Sequence, residues 1–283
     1  MIKKVALILS LVIITSSVSV IITMFLVDSS DTPSTYKTHK IDSKILSEQR
    51  ELIVKLPVAY EENTSKTYPV IYVFGGNTLT YNIAYDTELL CRTGHIEEII
   101  VVGIPNISQD TRQRDLTPPF MRQDIDELDS PLGQADKYLE FISNEVIKVV
   151  EGTYRTNSER IAVGHSREGL MVMYSLIANP NLFKGRLALS PALWRENNIF
   201  VKHLESYLNK ADSLNSYLFM SMGSKEVEKM TKAFDLTIAL LKKESNSKKV
   251  QWDSYYTHGA VHNNNALLSA PIGLEKVLKN MQD

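Results

Sequence analysis

The chain has 283 residues, 43% of them hydrophobic, and a net charge of -2. That is enough apolar material for one large core of about 250 residues, or two smaller ones. Near-neutral charge without a basic block excludes a nucleic-acid-binding protein, and a single cysteine, Cys91, excludes an intrachain disulfide and a cysteine metal site.

Lys3 and Lys4 precede Val5 to Val27, an uncharged run. At ~1.5 Å per residue such a run crosses a hydrocarbon core of ~30 Å as a helix. A secretory h-region is usually about 7–15 residues long and ends at small residues. This run is longer, with Ser17-Val18-Ser19 as a weak substitute for a cleavage site, so an uncleaved anchor is favoured over a signal peptide. In either case the lysines stay cytoplasmic and the bulk of the chain is exported, to the periplasm or another extracytoplasmic location. The expected division is an anchor or signal segment over 1–27, a polar linker over 28–36 and one domain over 37–283.

Lys37 to Leu46 and Glu51 to Leu56 read as two strands joined by Ser47-Glu48-Gln49-Arg50, an antiparallel pair at a sheet edge. Tyr68-Pro69-Val70-Ile71-Tyr72-Val73-Phe74 is a nearly unbroken apolar strand that stops at Gly75-Gly76-Asn77; such a strand is buried on both faces, as in a parallel sheet covered by helices. Glu98 to Ile104 is the next strand, and a long polar loop runs from Ser108 to Gly133; loops of that length are usually functional or mobile. Ala135 to Val150 has helical spacing, Arg160 to Val163 is a strand, and Leu170 to Ala178 is a helix. Further strands are read at Gly185–Leu189, Tyr217–Met222 and Val250–Tyr256, with helices at Ile199–Leu208, Val227–Leu241 and Ala266–Met281. Strands alternating with helices predict an α/β domain with a mostly parallel sheet, entered through an antiparallel edge.

The strand ending at Val163 meets Gly164-His165-Ser166-Arg167-Glu168-Gly169 at a strand-to-helix turn. A nucleophile elbow puts its serine at such a turn, where a strained backbone exposes Oγ and aims the next N–H at the reacting oxygen. The usual pattern is Gly-x-Ser-x-Gly; here the fifth position is Glu168 and the glycine follows one residue later. A serine nucleophile needs a base, and the base needs an orienting carboxylate. In α/β-hydrolases the chain order is serine, acid, histidine, which confines the search to two loops. After the Tyr217–Met222 strand stand Glu226, the candidate acid, and Glu228, the alternate, which also suits a helix N-terminus. After the last strand, Thr257-His258-Gly259-Ala260-Val261-His262 offers two histidines as base. Without a third ligand nearby, this pair makes no metal site, and the chemistry requires no cofactor. The oxyanion hole is assigned to the N–H of Arg167 and to Gly76 or Asn77. Each such donor is worth ~3–4 kcal/mol in the transition state.

Several blocks resemble the esterase family of α/β-hydrolases that contains esterase D and the enterochelin (siderophore) esterases. They are Tyr68–Val73, Ile100-Val101-Val102-Gly103-Ile104-Pro105-Asn106, Arg114-Asp115-Leu116-Thr117-Pro118, Tyr154-Arg155-Thr156, Val163–Ser166, Leu189-Ser190-Pro191-Ala192-Leu193-Trp194 and Gly223-x-x-Glu226. The similarity runs from about Lys40 to the C-terminus. It implies the α/β-hydrolase fold, Ser166 as nucleophile and Glu226 as acid. Because the family's histidine stands about a dozen residues before a Gly-Leu, here Gly273-Leu274, it favours His262 as base over His258. By the same analogy Trp194 and the long loop, with Arg114, border the substrate pocket.

Two departures stand out: the family usually has glycine where this chain has Glu168, and Asp-Gly where it has Gly75-Gly76. A glutamate at the elbow is expected to face solvent or crowd the site, where its charge opposes the oxyanion. The first functional reading is therefore a carboxylic ester hydrolase acting on a small-molecule ester. The alternative is an impaired, esterase-like protein that binds a ligand or partner without turnover, and transfer to an acceptor other than water uses the same residues.

Overall fold

The computed structural model describes residues 36–211, 216–245 and 251–281. The apolar run 5–27 and the linker to residue 35 lie outside them. Among the described residues no helix is long and apolar enough to cross a membrane.

Eight strands form one sheet: β1 (Tyr36–Ser43), β2 (Glu48–Lys55), β3 (Tyr68–Phe74), β4 (Ile100–Ile104), β5 (Thr156–His165), β6 (Gly185–Leu189), β7 (Tyr217–Gly223) and β8 (Gln251–Thr257). Their order is β1-β2-β4-β3-β5-β6-β7-β8. β2 runs antiparallel to β4, and every pairing from β4 through β8 is parallel. This is the mostly parallel sheet with an antiparallel entry edge that the sequence pattern predicts, and its arrangement is that of an α/β-hydrolase. The first turn sits earlier than expected, at residues 44–47, with Ser47 in the left-handed region (φ 56) and Ser43 Oγ accepting the Leu46 N–H (3.0 Å).

Central strands β3, β4, β6 and β7 are buried at every position, whereas the edge strand β8 is half-buried or exposed at all but Thr257. Alternate residues of a strand face opposite sides, so each central strand feeds two cores. Phe74 meets the rings of Tyr138 and Phe183 at 6.4 and 6.0 Å. That side is covered by α3 (Ala135–Phe141), which passes through a π-helical turn (Ile142–Val146) into α4 (Ile147–Thr153), and by α5 (Arg167–Ala178). α5 is buried from Arg167 to Leu176.

The same core takes in α6 (Arg195–Leu208) and α7 (Glu228–Ser245), whereas α1 (Asn77–Arg92) and α8 (His262–Asn280) lie outside it, with α8 packed on α1, β6 and β7. The expected polar loop from Ser108 to Gly133 contains a short helix, α2 (Gln109–Asp115), started by a reciprocal cap. Ser108 Oγ accepts the Thr111 N–H, and Thr111 Oγ1 accepts the Ser108 N–H. The first turn of α6 is irregular, since Glu196, Asn197 and Asn198 all have left-handed backbone (φ 44, 55 and 61). In a mostly parallel sheet the loops beyond the C-terminal strand ends gather on one side. This fold therefore brings together residues 75–77, 106–134, 166–168, 190–196, 224–227 and 258–262.

Candidate active site

Ser166 is the junction of β5 and α5. Its backbone is left-handed (φ 62, ψ -116), a conformation that non-glycine residues adopt only when their surroundings enforce it. Here the Ser166 N–H donates to the Leu189 carbonyl (2.9 Å), and the Ser166 carbonyl accepts the N–H groups of Leu170 and Ala192 (both 3.0 Å). Gly164 makes the tight turn possible, because a Cβ there would stand 2.3 Å from the Glu168 carbonyl oxygen.

Three of the expected residues fall in one line. His262 Nε2 is 2.9 Å from Ser166 Oγ, and His262 Nδ1 is 2.8 Å from Glu226 Oε2. The carboxylate at Nδ1 puts the imidazole proton there and leaves Nε2 free to accept the serine hydroxyl. His262 is the first residue of α8, not a loop residue as the sequence suggests. The alternates stand apart from this line. His258 is exposed beside Gly259, and Glu228 is exposed in the first turn of α7, paired with Lys232 (2.7 Å).

Glu226 lies in the turn after β7 and is 8% exposed. Burial pushes its carboxyl upward, but donors from His262, from Ser190 Oγ (2.5 Å) and from the Gly223 N–H (2.8 Å) outweigh it and hold the group below the usual glutamate value. Ser190, itself left-handed (φ 45), accepts Asn265 Nδ2 (2.8 Å), and Asn265 Oδ1 accepts the Thr257 hydroxyl. Ser190 and Asn265 are fully buried. Neither is singled out by spacing; the available signal for Ser190 is its place at the C-terminal end of a parallel strand. His165 packs its ring on His262 (centroids 4.6 Å apart) and donates from Nε2 to the His262 carbonyl (2.9 Å). Burial, then the neighbouring His262, depress its basicity.

The amides assigned to the oxyanion hole all sit at helix starts. Arg167 opens α5, Asn77 opens α1 and Gly76 precedes it. First-turn N–H groups have no intrahelical partner and lie at the positive end of the dipole. The Arg167 side chain turns away to donate to Thr117 Oγ1 (2.7 Å) and the Gln123 carbonyl (2.9 Å). Burial, with Arg195 and Arg112 close by, pulls its pKa down to about 10. Arg195 donates to the carbonyls of Arg122 (2.8 Å) and Gln123 (3.0 Å). The two arginines thus pin the segment after α2 against the elbow.

The two expected pocket residues part company. Trp194 follows the Ser190–Ala192 segment bonded to the elbow, and Lys229 Nζ lies 3.7 Å from its ring centroid. The Arg114 guanidinium binds Asp115 (2.7 Å) and Glu48 (2.6 Å), fastening α2 to β2. The arginine that reaches Glu168 at the elbow is Arg112, two residues earlier on α2.

Glu168 departs from the expectation, because it neither faces solvent nor stands uncompensated. Its carboxylate is 2.6 Å from both Nε and Nη2 of Arg112, a bidentate pair, and accepts Asn106 Nδ2 at 3.1 Å. Its side chain fills the space over Gly75, where a Cβ would stand 2.5 Å from Glu168 Cγ. Gly75 also has a φ of 99, a conformation that suits glycine. The two departures from the family pattern are thus in contact, one making room for the other.

Comparison with known proteins adds the family. The profile described as Putative esterase matches residues 43–265. The chain belongs to this esterase family. An IroE-like serine hydrolase from Shewanella oneidensis is similar in structure, with a TM-score of 0.76 and 27% identity, covering 87% of this chain and 80% of its own. The uncharacterized protein YbbA of Bacillus subtilis is 26% identical over 180 residues, 62% of this chain and 69% of that one. The ferri-bacillibactin esterase BesA of Bacillus subtilis is 25% identical over 179 residues, 59% of this esterase and 62% of BesA. This esterase is a carboxylic ester hydrolase. Among its described residues no group of three or more His, Cys, Asp or Glu is placed to hold a metal ion.

Proposed function

We propose that this esterase cleaves carboxylic esters through an acyl-enzyme on Ser166, outside the cytoplasmic membrane. The observation that carries the reading is the continuous line from Glu226 through His262 to Ser166, with 2.8 and 2.9 Å links. Ser166 Oγ attacks the ester carbonyl while His262 Nε2 takes its proton. Glu226 stabilises the imidazolium that forms. The oxyanion is received by the Arg167 N–H and by that of Gly76 or Asn77. Collapse of the tetrahedral intermediate breaks the ester C–O bond, and His262 returns the proton to the leaving alcohol. Water then repeats the sequence on the acyl-enzyme, with His262 as base, and frees the acid and Ser166.

Neutralisation of Glu168 by Arg112 favours turnover over the non-catalytic reading, since no bare carboxylate faces the developing oxyanion. The substrate is a small-molecule ester. A siderophore ester, the class in BesA's name, belongs in the test panel beside short acyl esters. Lys3 and Lys4 before the apolar run 5–27 support export and attachment to the inner membrane.

Hydrolysis of short p-nitrophenyl esters by the whole chain, beside Ser166→Ala, tests the reading. Serine-dependent release is expected; equal rates over several acyl lengths would contradict it. Protease accessibility in intact spheroplasts tests location: the domain is expected to be cut from outside.

A further inference from the structure

Glu168 stands two residues past the nucleophile, in the first turn of α5, and is 6% exposed. A carboxylate buried there is costly unless it is paired and hydrogen-bonded. Arg112 supplies both oxygens with a donor at 2.6 Å, the fork geometry that only arginine offers, and Asn106 adds a third contact. The Glu168 side chain lies over Gly75, next to Gly76, which the proposed mechanism uses toward the oxyanion. The Glu168 side chain therefore stands between the elbow and the loop after β3, with Arg112 and Asn106 closed on it.

The surroundings make the sign of this space depend on Glu168. Arg167 and Arg195 are buried close to Arg112, and their guanidinium groups donate to hydroxyl and carbonyl oxygens of Thr117, Arg122 and Gln123. With Glu168 in place, Arg112 is neutralised. Without it, the Arg112 guanidinium loses the carboxylate that fills its fork at the elbow.

We propose that Glu168 is a specificity-determining residue of this esterase: by closing Arg112 in a bidentate pair, it makes the acyl side of the site select uncharged acyl groups. This rests on the proposed role of Ser166 and narrows the substrate class to neutral acyl esters. A mere strut between α2 and α5 uses the same contacts but is indifferent to substrate charge, which gives the test its contrast.

The test uses three p-nitrophenyl esters with four-carbon acyl groups: butyrate, hemisuccinate and 4-aminobutyrate, respectively neutral, anionic and cationic. Ratios of kcat/KM are taken within each variant, so that partial loss of folded enzyme cancels. The unchanged protein is expected to prefer butyrate. Glu168→Gln should raise the hemisuccinate-to-butyrate ratio about tenfold or more. Arg112→Gln should raise the 4-aminobutyrate-to-butyrate ratio by a similar factor. The double variant should return toward the original preference, and Arg112→Lys, which keeps the charge, should leave it in place. If both single variants lose rate on all three esters together, with ratios unchanged, the pair is a strut and the proposal is overturned. If the unchanged protein shows no Ser166-dependent turnover of any ester, the catalytic reading itself has failed, a distinct result.

Discussion

Asp115 and Glu226 are both buried carboxylates near the C-terminal side of the sheet, yet their partners differ in kind. Asp115 is met by the guanidinium groups of Arg50 and Arg114, and both arginines also reach Glu48. Opposite charges there are matched at rest. Glu226 is met by a hydroxyl, a backbone N–H and an imidazole. Those neutral donors hold the carboxylate ionised without using up its charge, so it remains available to the positive charge that the proposed mechanism puts on His262. A carboxylate already closed on arginine would have little left to offer an imidazolium. Charge pairing alone therefore does not mark a catalytic carboxylate; a charge balanced only by neutral dipoles, beside a strained serine, marks a candidate one.

Breaking each region in turn should separate activity from stability. The largest effect is expected from Glu226→Gln, which keeps shape but removes the charge and lets the wrong imidazole tautomer form. kcat should fall by about 10⁴ with KM little changed, read on a short p-nitrophenyl ester. Next is Asp115→Asn, which takes from buried Arg50 one of its two carboxylates and leaves it Glu48. It should cost about 3–5 kcal/mol in denaturant melts while kcat per folded molecule stays within about twofold. A large loss of kcat in well-folded Asp115→Asn would erase the contrast drawn here. Ser190→Ala removes one donor from Glu226 Oε1. Hydrogen bonds to charged groups are worth about 1.5–3 kcal/mol, so a fall in kcat of about tenfold or more is expected, together with a rise in the Glu226 pKa.

The smallest effect concerns Asp86 on α1, whose carboxyl is pushed up to about 6 by burial. Below the unfolded value of about 4 it is protonated in both states. As pH rises toward 6 the unfolded chain releases its proton first, so stability falls across that window. Asp86→Asn should therefore stabilise the protein by about 1 kcal/mol at pH 7.5, allowing for partial exposure, and by much less at pH 4.5. Equal gains at both pH values would show that the carboxyl is not the cause.

What could be read in advance follows from where the physics is local. Central strands announce themselves as unbroken apolar runs, and Tyr68–Phe74 and Gly185–Leu189 are found at the bounds the sequence predicts. The elbow is a local strand-to-helix signal, and the chain order of acid and histidine narrows their search to two loops. α1 is not legible, because its buried face is Thr80, Ile83, Ala84 and Thr87, mostly small and polar residues that give no apolar period. The start of α8 is hidden by Asn263-Asn264-Asn265; asparagine disfavours helix interiors, but here Asn264 caps the helix by accepting the Val261 N–H (2.9 Å). The fate of Glu168 depends on Arg112, 56 positions upstream, and Ser190 meets Asn265 across 75 positions. Pairings over such distances exist only once the sheet has formed.

The central claim is that Ser166 carries the acyl group. Rapid quench of the whole chain with p-nitrophenyl acetate, followed by digestion and mass measurement, tests it directly. An acetyl group on the peptide containing Ser166, absent in Ser166→Ala and persisting longer in Glu226→Gln than in the unchanged protein, is the predicted result. Turnover with no acetyl on that peptide, or with the label on the peptide containing His258, would contradict the account.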